Sequence, residues 1–471
     1  MSHAVDATIG RMTEPSSSGS GARQAQHGAA PHQVVHADWV WTGGRLERTR
    51  AVGIDRGGRI VSVAAPSGPS TLRLPGRALI PGFVSAHSHA FQRDLRGGTE
   101  RFGRGHAGND GGTGFFTWRD AMYALVASLD PDRCYEASRR AFAEMLAAGI
   151  TSVGEFHYVR HADPVEGPED EGLRWAFDAS VLAAARDAGI RIVLLHACYM
   201  RGGFAAPLAG GQVRFRVRDE ADYWRRADAL GGLLHGPTQT LGATAHSVRA
   251  VPIEAIEGLH RESVRRGLVF HIHVEEVRKE IEECRAMHDR TPSRLLIERL
   301  AIDERTTAVH CTHTTPEDLA AWARSGATIC LCPLTEGNLG DGICDVPAFR
   351  AAGGRLAFGT DLNSRLAPTE ELRWIEYVQR IRRERRGLVV DAEGDSGAAL
   401  LEIGTANGAR SLGIDAGAIE PGKLADFAVV DLGHPTMLGW TPETFASHLV
   451  FGTGTSAVCG TCVGGAWRMR R

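Results

Sequence analysis

Near the start of the chain, short apolar runs alternate with turn residues. Trp39–Trp41, Ala51–Ile54, Ile60–Val63 and Ala78–Ile80 read as strands. The far end has the same texture. Phe427–Asp431 and Ala457–Val463 are strand-like, and Gly464-Gly465 supplies a hairpin turn into Ala466–Met469. Strands at both ends of a chain can meet in one small β-domain, leaving the middle as a separate body. That middle alternates differently. Strand-like runs fall at Phe83–Ala86, Ser152–Phe156, Ile190–His196, Gln239–His246, Leu268–Val274, Thr307–Cys311, Thr328–Cys332 and Leu356–Gly359. Helical runs separate or follow them, at Pro131–Ala148, Ala176–Ala188, Ile253–Arg266, Thr315–Arg324 and Thr369–Arg385. Eight strands with crossover helices predict an α/β fold, a closed (β/α)8 TIM-like barrel, with a composite β-sandwich built from both chain ends. An open dinucleotide-binding sheet is the competing layout, but no Gly-x-Gly-x-x-Gly follows a first strand. The expected boundaries are 1–35 for an N-terminal tail, 36–80 and 418–471 for the two parts of the sandwich, and 81–417 for the barrel.

Composition adds limits. With 471 residues, 43% of them hydrophobic, the chain can bury a large core beside a smaller one. A formal charge of -3 gives no global electrostatic case for nucleic acid or an anionic membrane. No apolar run is long enough for a membrane span. The nine cysteines are scattered and no secretory segment precedes them, so a reducing cytoplasm is expected. Cys459 and Cys462 form half of a zinc knuckle without its second pair and are read as structural thiols. Residues 1–35 are rich in Gly, Ser, Ala, His and Gln and are expected to be disordered, with His3, His27 and His32 solvated.

In barrels of this kind, reactive side chains gather at the C-terminal ends of the strands. Here the first strand ends in His87-Ser88-His89, whose imidazoles share a face. The fifth ends in His271-Ile272-His273-Val274-Glu275-Glu276, the sixth in His310-Cys311-Thr312-His313, and the eighth in Gly359-Thr360-Asp361. An isolated His-x-His is usually incidental, and a lone Asp after a strand is usually a helix cap. Together at separate strand ends they form a convergent polar set whose burial is costly unless a metal or substrate satisfies it. His271 and His273 both remain candidates on this reasoning.

Pro81-Gly82-Phe83-Val84-Ser85-Ala86-His87-Ser88-His89 resembles the metal signature of the amidohydrolase superfamily, and Ala418–Asp426 resembles the segment that returns to its β-domain. The resemblance covers nearly all of residues 36–471. His89–Arg93, Thr117–Tyr123, Glu155–Tyr158 and Glu371–Tyr377 together resemble formimidoylglutamate deiminases, which act in histidine breakdown. The resemblance implies a zinc-dependent hydrolase acting on a linear amidine, N-formimino-L-glutamate, with release of ammonia. It implies one Zn2+ per subunit, or another divalent ion, held by His87, His89, His273 and Asp361. His273 is preferred because it stands three residues before Glu276. Binuclear relatives bridge their metals with a lysine at the end of the fourth strand, whereas the only lysines here are Lys279 and Lys423. Glu276 and Asp361 are implied as proton carriers and His310 as the residue orienting the nucleophile. Gln92 is implied beside the amidine, with Arg119, Tyr158, His246 and Arg249 gripping the dicarboxylate tail. A homodimer is implied by the resemblance alone.

Some features depart from that pattern or stand apart from it. The Gly-rich stretch 97–114 reads as a loop near the entrance, a candidate lid. Asn363 stands where a histidine is expected, and Glu275 where a small residue is usual. Cys332–Glu336 and Asn338–Gly342 read as a loop shaping the pocket rather than moving protons, and His313 has no assigned role. The competing readings are another mononuclear deaminase, of guanine, nucleoside or triazine type, and a non-catalytic barrel used for binding.

Overall fold

The structure is a computed structural model that describes residues 31–100, 115–161 and 176–470. Seven strands form one mixed sheet. They are β1 (Gln33–Thr42), β2 (Arg45–Ile54), β3 (Ile60–Ala64), β4 (Leu72–Pro81), β13 (Phe427–Asp431), β14 (Val458–Val463) and β15 (Ala466–Met469). Their order is β15-β14-β13-β4-β1-β2-β3, so the two chain ends join where β13 pairs with β4. Gly464 and Gly465 both have positive φ, 55° and 86°, which a two-residue turn matched to strand twist requires. Val35, Val40, Val52, Ile54, Leu79, Phe427 and Val429 make the apolar interior of this sheet.

β1 begins at Gln33, inside the stretch expected to be a tail. It pairs with Ile54 and Gly53 of β2 and also reaches the distant C-terminal hairpin. The Gln33 amide donates to the Gly465 carbonyl (3.0 Å) and its oxygen accepts from Trp467 Nε1 (3.0 Å), while Val35 is fully buried. Such partners are invisible to a local pattern. Residues 1–30, including His3 and His27, lie outside the described residues.

The remaining strands are β5 (Phe83–Ser88), β6 (Ile150–His157), β7 (Arg191–Cys198), β8 (Gln239–Ser247), β9 (Phe270–Val274), β10 (Thr306–His310), β11 (Thr328–Leu331) and β12 (Arg355–Phe358). They pair in chain order, all parallel, and are almost wholly buried on both faces, as crossover helices require. The helices start on strong caps. Asp130, Asp219, Thr291 and Thr315 each accept from the backbone three residues on, and Pro131, Pro292 and Pro316 occupy first helical positions. Past its last strand, the barrel closes. His87 O accepts from Thr360 N (2.9 Å) and Asp361 N (3.1 Å), and His89 N donates to Asp361 O (2.8 Å). The barrel is therefore an eight-stranded ring, as the alternation predicts.

Ring and outer sheet are fastened at Asp426. Its carboxylate accepts two bonds from the Arg191 guanidinium (2.6 and 3.0 Å), one from Gly464 N (2.8 Å) and one from Ser152 Oγ (3.4 Å), all away from solvent. Gly82 alone separates β4 from β5. A Cβ there would fall 2.0 Å from Thr151 Oγ1, so only glycine lets the chain pass. No helix among the described residues is long and apolar enough to cross a membrane.

Candidate active site

At the C-terminal mouth of the ring, β5, β9, β10 and the turn after β12 bring His87, His89, His273, His310 and Asp361 together. His87 Nε2 lies 3.1 Å from His273 Nε2 and 3.3 Å from Asp361 Oδ1, and His89 Nε2 lies 3.4 Å from that same oxygen. His310 Nε2 is 3.9 Å from Asp361 Oδ2 and 3.6 Å from Glu276 Oε1. The backbone is strained to achieve this. Glu275 (φ 52°), His310 (φ 75°) and Asp361 (φ 44°) all occupy the left-handed region, at about 1–3 kcal/mol each. Such strain at three strand ends around one point marks a site rather than a packing defect.

The polarity of the ring nitrogens follows from their other neighbours. His89 Nδ1 donates to Phe156 O (2.8 Å) and His273 Nδ1 to His246 O (2.9 Å), so the Nε2 lone pairs face inward. Burial, before any charge effect, pushes His89 and His273 below the ordinary imidazole range and His87 down to about 3. Burial opposes the charge of Asp361, yet its His87 hydrogen bond and the facing imidazoles hold it well below the usual carboxylate range. Neutral nitrogen lone pairs and an ionised carboxylate thus converge with no proton between His89 and Asp361. Only a cation relieves that crowding, and the donor set of three imidazoles and one carboxylate fits a divalent metal.

His310 behaves oppositely. Burial would discharge it, but Glu276, Glu336 and Asp361 raise it well above the ordinary histidine value. Its Nδ1 faces Glu336 Oε1 at 3.4 Å, and that carboxylate is itself fixed by Cys332 N (2.9 Å). Glu276 is buried, and burial raises its carboxyl above the usual range.

A small cavity opens on this cluster, lined by His89, His273, Glu276 and Asp361. Gln92, Arg119, Tyr158, His246 and Arg249 line it too, so all five side chains expected at the substrate meet in one place. Gln92 Nε2 donates to Tyr158 Oη (2.7 Å), leaving Gln92 Oε1 buried without a partner. The helix Phe115–Ala127 presents Trp118, Arg119, Met122 and Tyr123 to the cavity, at the spacing of one helical face. Arg249 is buried, with the Glu280 carboxyl among its electrostatic neighbours; burial pushes that carboxyl up to about 7.

Several residues escaped the sequence reading. Tyr199 and Phe215 line the cavity, and Gln212 Nε2 donates to Tyr123 Oη (2.9 Å) and Tyr199 Oη (3.2 Å). Tyr199 directly follows β7, so the strand-end rule would have found it. Glu336, read only as part of a loop shaping the pocket, lies instead in the helix Pro333–Leu339 and faces His310.

Other residues settle into supporting positions. His271 bonds Ser411 O (3.0 Å) deeper in the ring, so it turns away from the cluster. His313 Nε2 donates to Asp341 O (2.7 Å) and pins the turn after the helix Pro333–Leu339. Glu275 accepts from Ser293 N (2.9 Å) and Thr314 Oγ1 (2.5 Å), tying the end of β9 to the helix Pro292–Arg299 and to the loop after β10. Asn363 Nδ2 donates to Ser88 Oγ (3.1 Å), linking the turn after β12 to the strand that carries His87. Lys279 pairs with Glu283 (3.8 Å) on a helix surface. Cys459 and Cys462 donate weakly to the Val429 and Ala425 carbonyls. Residues 101–114 of the expected lid lie outside the described residues.

The sequence profile of the Amidohydrolase family matches residues 78–468. The chain belongs to the amidohydrolase family. It is 38% identical over 404 residues to the formimidoylglutamate deiminase of Pseudomonas aeruginosa, covering 84% of this chain and 85% of that one. The crystal structure of an amidohydrolase from Brucella melitensis superposes with a TM-score of 0.84 at 30% identity, covering 93% of this chain and 95% of that one. An adenosine deaminase from Xanthomonas campestris with bound zinc superposes at 0.75, covering 93% and 92%; at 23% identity it speaks for the fold alone. This amidohydrolase is a hydrolase acting on C–N bonds.

Proposed function

We propose that this amidohydrolase converts N-formimino-L-glutamate and water to N-formyl-L-glutamate and ammonia, as an enzyme of histidine breakdown, with one zinc ion per chain. The observation that carries the reading is the presence of both Arg119 and Arg249 in the cavity that opens on the histidine–aspartate cluster. Two guanidinium groups lining one pocket match a diacid, which offers two carboxylates for paired contacts. The 38% identity to a formimidoylglutamate deiminase supports the same substrate.

His87, His89, His273 and Asp361 would hold the ion. When bound, it supplies a nucleophile at neutral pH by lowering the pKa of water to about 7. The protein does the rest. Arg119, Arg249, Tyr158 and His246 grip the tail, and Gln92 Oε1 accepts from the amidine. Asp361, held ionised, takes a proton from the attacking water. Glu276, whose carboxyl burial raises above the usual range, delivers a proton to the departing nitrogen. His310 keeps its own proton and orients the nucleophile. The oxygen of water becomes the formyl oxygen, and the bond to the terminal nitrogen breaks.

Ammonia release measured in parallel on N-formimino-L-glutamate, guanine and adenosine, with zinc content determined on the same sample, tests the reading. Release from the first substrate alone, with one zinc per chain, is expected. Release from guanine or adenosine and none from the amidine would overturn it in favour of a purine or nucleoside deaminase.

A further inference from the structure

Beneath the cluster lies a second set of donors that the reaction does not employ together. We propose that His310, Cys332 and Asp361 form a second cation site, one for a thiophilic divalent ion such as Zn2+ or Cd2+, whose filling stops the enzyme. The three residues come from the ends of adjacent strands β10, β11 and β12. Their ligand atoms all lie within 4.8 Å of one another, and all three are buried. An imidazole, a thiolate and a carboxylate are a zinc-type set, and sulfur selects against Mg2+ and Ca2+.

Three further observations point the same way. His310 Nε2 is buried and has no hydrogen-bond partner. The Cys332 sulfur is accommodated because residue 359 is glycine; a Cβ there would lie 2.9 Å from Cys332 Sγ. Both Asp341 oxygens are buried without a hydrogen-bond partner.

Occupancy has a defined chemical consequence. The Cys332 thiol proton and the His310 proton leave to solvent as bonds to sulfur and nitrogen form. His310 can then no longer orient the nucleophile, and Asp361 becomes shared between two ions. The site is therefore a brake, engaged by excess zinc or by cadmium. The proposal rests on the reading of Asp361 as a ligand of the first ion, and the experiment separates the two.

The zinc-loaded enzyme is titrated with Cd2+, with both metals quantified after gel filtration. One further equivalent is expected, together with an ultraviolet thiolate-to-cadmium charge-transfer band and a tenfold or greater loss of ammonia release. In Cys332→Ser, or Cys332→Ala should serine not be tolerated, the band disappears and inhibition moves to at least tenfold higher cadmium. In Cys330→Ser, the neighbouring buried thiol, the band persists. No band in the wild-type protein, or one that survives in both Cys332 variants, overturns the second site while leaving the first intact. A preparation that retains no ion at all overturns both.

Discussion

At the scale of single residues, the site works by setting adjacent groups to opposite charge states. His87 and His273 are stripped of their protons by burial, whereas His310, within 6.1 Å of His87 by ring centroids, is driven to keep its own by three carboxyls. Glu276 and Asp361 are divided in the same way, the first carboxyl raised by burial and the second lowered by its hydrogen bond to His87 and the facing imidazoles. Environments that push like groups apart are what assign acid and base roles. Arg249→Ala therefore raises KM on N-formimino-L-glutamate by about 10–150-fold, the worth of one charge-assisted bond, with zinc content unchanged. Arg249→Lys does not restore it, since a point charge cannot make the paired contact. Glu276→Gln lowers kcat by about 100–10,000-fold and moves KM little. Steady-state kinetics on both variants decides; an unchanged kcat in Glu276→Gln would reassign the proton donor.

At the scale of elements, each barrel strand contributes by where it stops. The turn after β12 approaches β5 closely enough that a Cβ on Gly359 would lie 2.8 Å from His87 Cβ and 2.9 Å from Cys332 Sγ. Gly359→Ala thus displaces His87, and we expect zinc affinity to fall by about 10–100-fold, as for other changes to ligand-supporting residues. Competition with a chelator, monitored by metal content, measures it; undiminished affinity would show that the turn can yield. Strand ends were also the part most legible in advance. Periodicity located all eight barrel strands, because burial on both faces leaves unbroken apolar runs. The outer sheet was harder. β2 and β4 are longer than their apolar cores suggest, since Arg45–Arg50 and Leu72–Arg77 are extended by pairing with partners outside the local pattern. The helix Phe115–Ala127 was seen only as a motif. Its polar side faces a cavity, so it lacks the apolar stripe that identifies a helix against a core. Cys332 was read only as part of a pocket-shaping loop, since a small buried thiol reads as packing.

At the scale of the whole molecule, one buried ion pair fastens the ring to the outer sheet. Asp426→Asn leaves the Arg191 charge without its counterion in a dry interface and is expected to cost about 3–5 kcal/mol. Urea denaturation should show the loss, with turnover per folded molecule unchanged because the pair lies at the opposite ends of the strands from the site. Replacing both partners, Arg191→Met with Asp426→Leu, should recover much of it. Equal stability in the single and double variants would place the strain elsewhere. The seam of the ring has a different consequence. His87 meets Asp361 through the backbone bonds that join its first staves to its last, across 274 positions of chain. The ligand set is complete only when the hoop is shut. A nascent or truncated polypeptide ending after His273 but before Asp361 carries every histidine of the set, yet has no carboxylate to complete it. Capture of the ion is thus a certificate of finished assembly, withheld from any partly built copy.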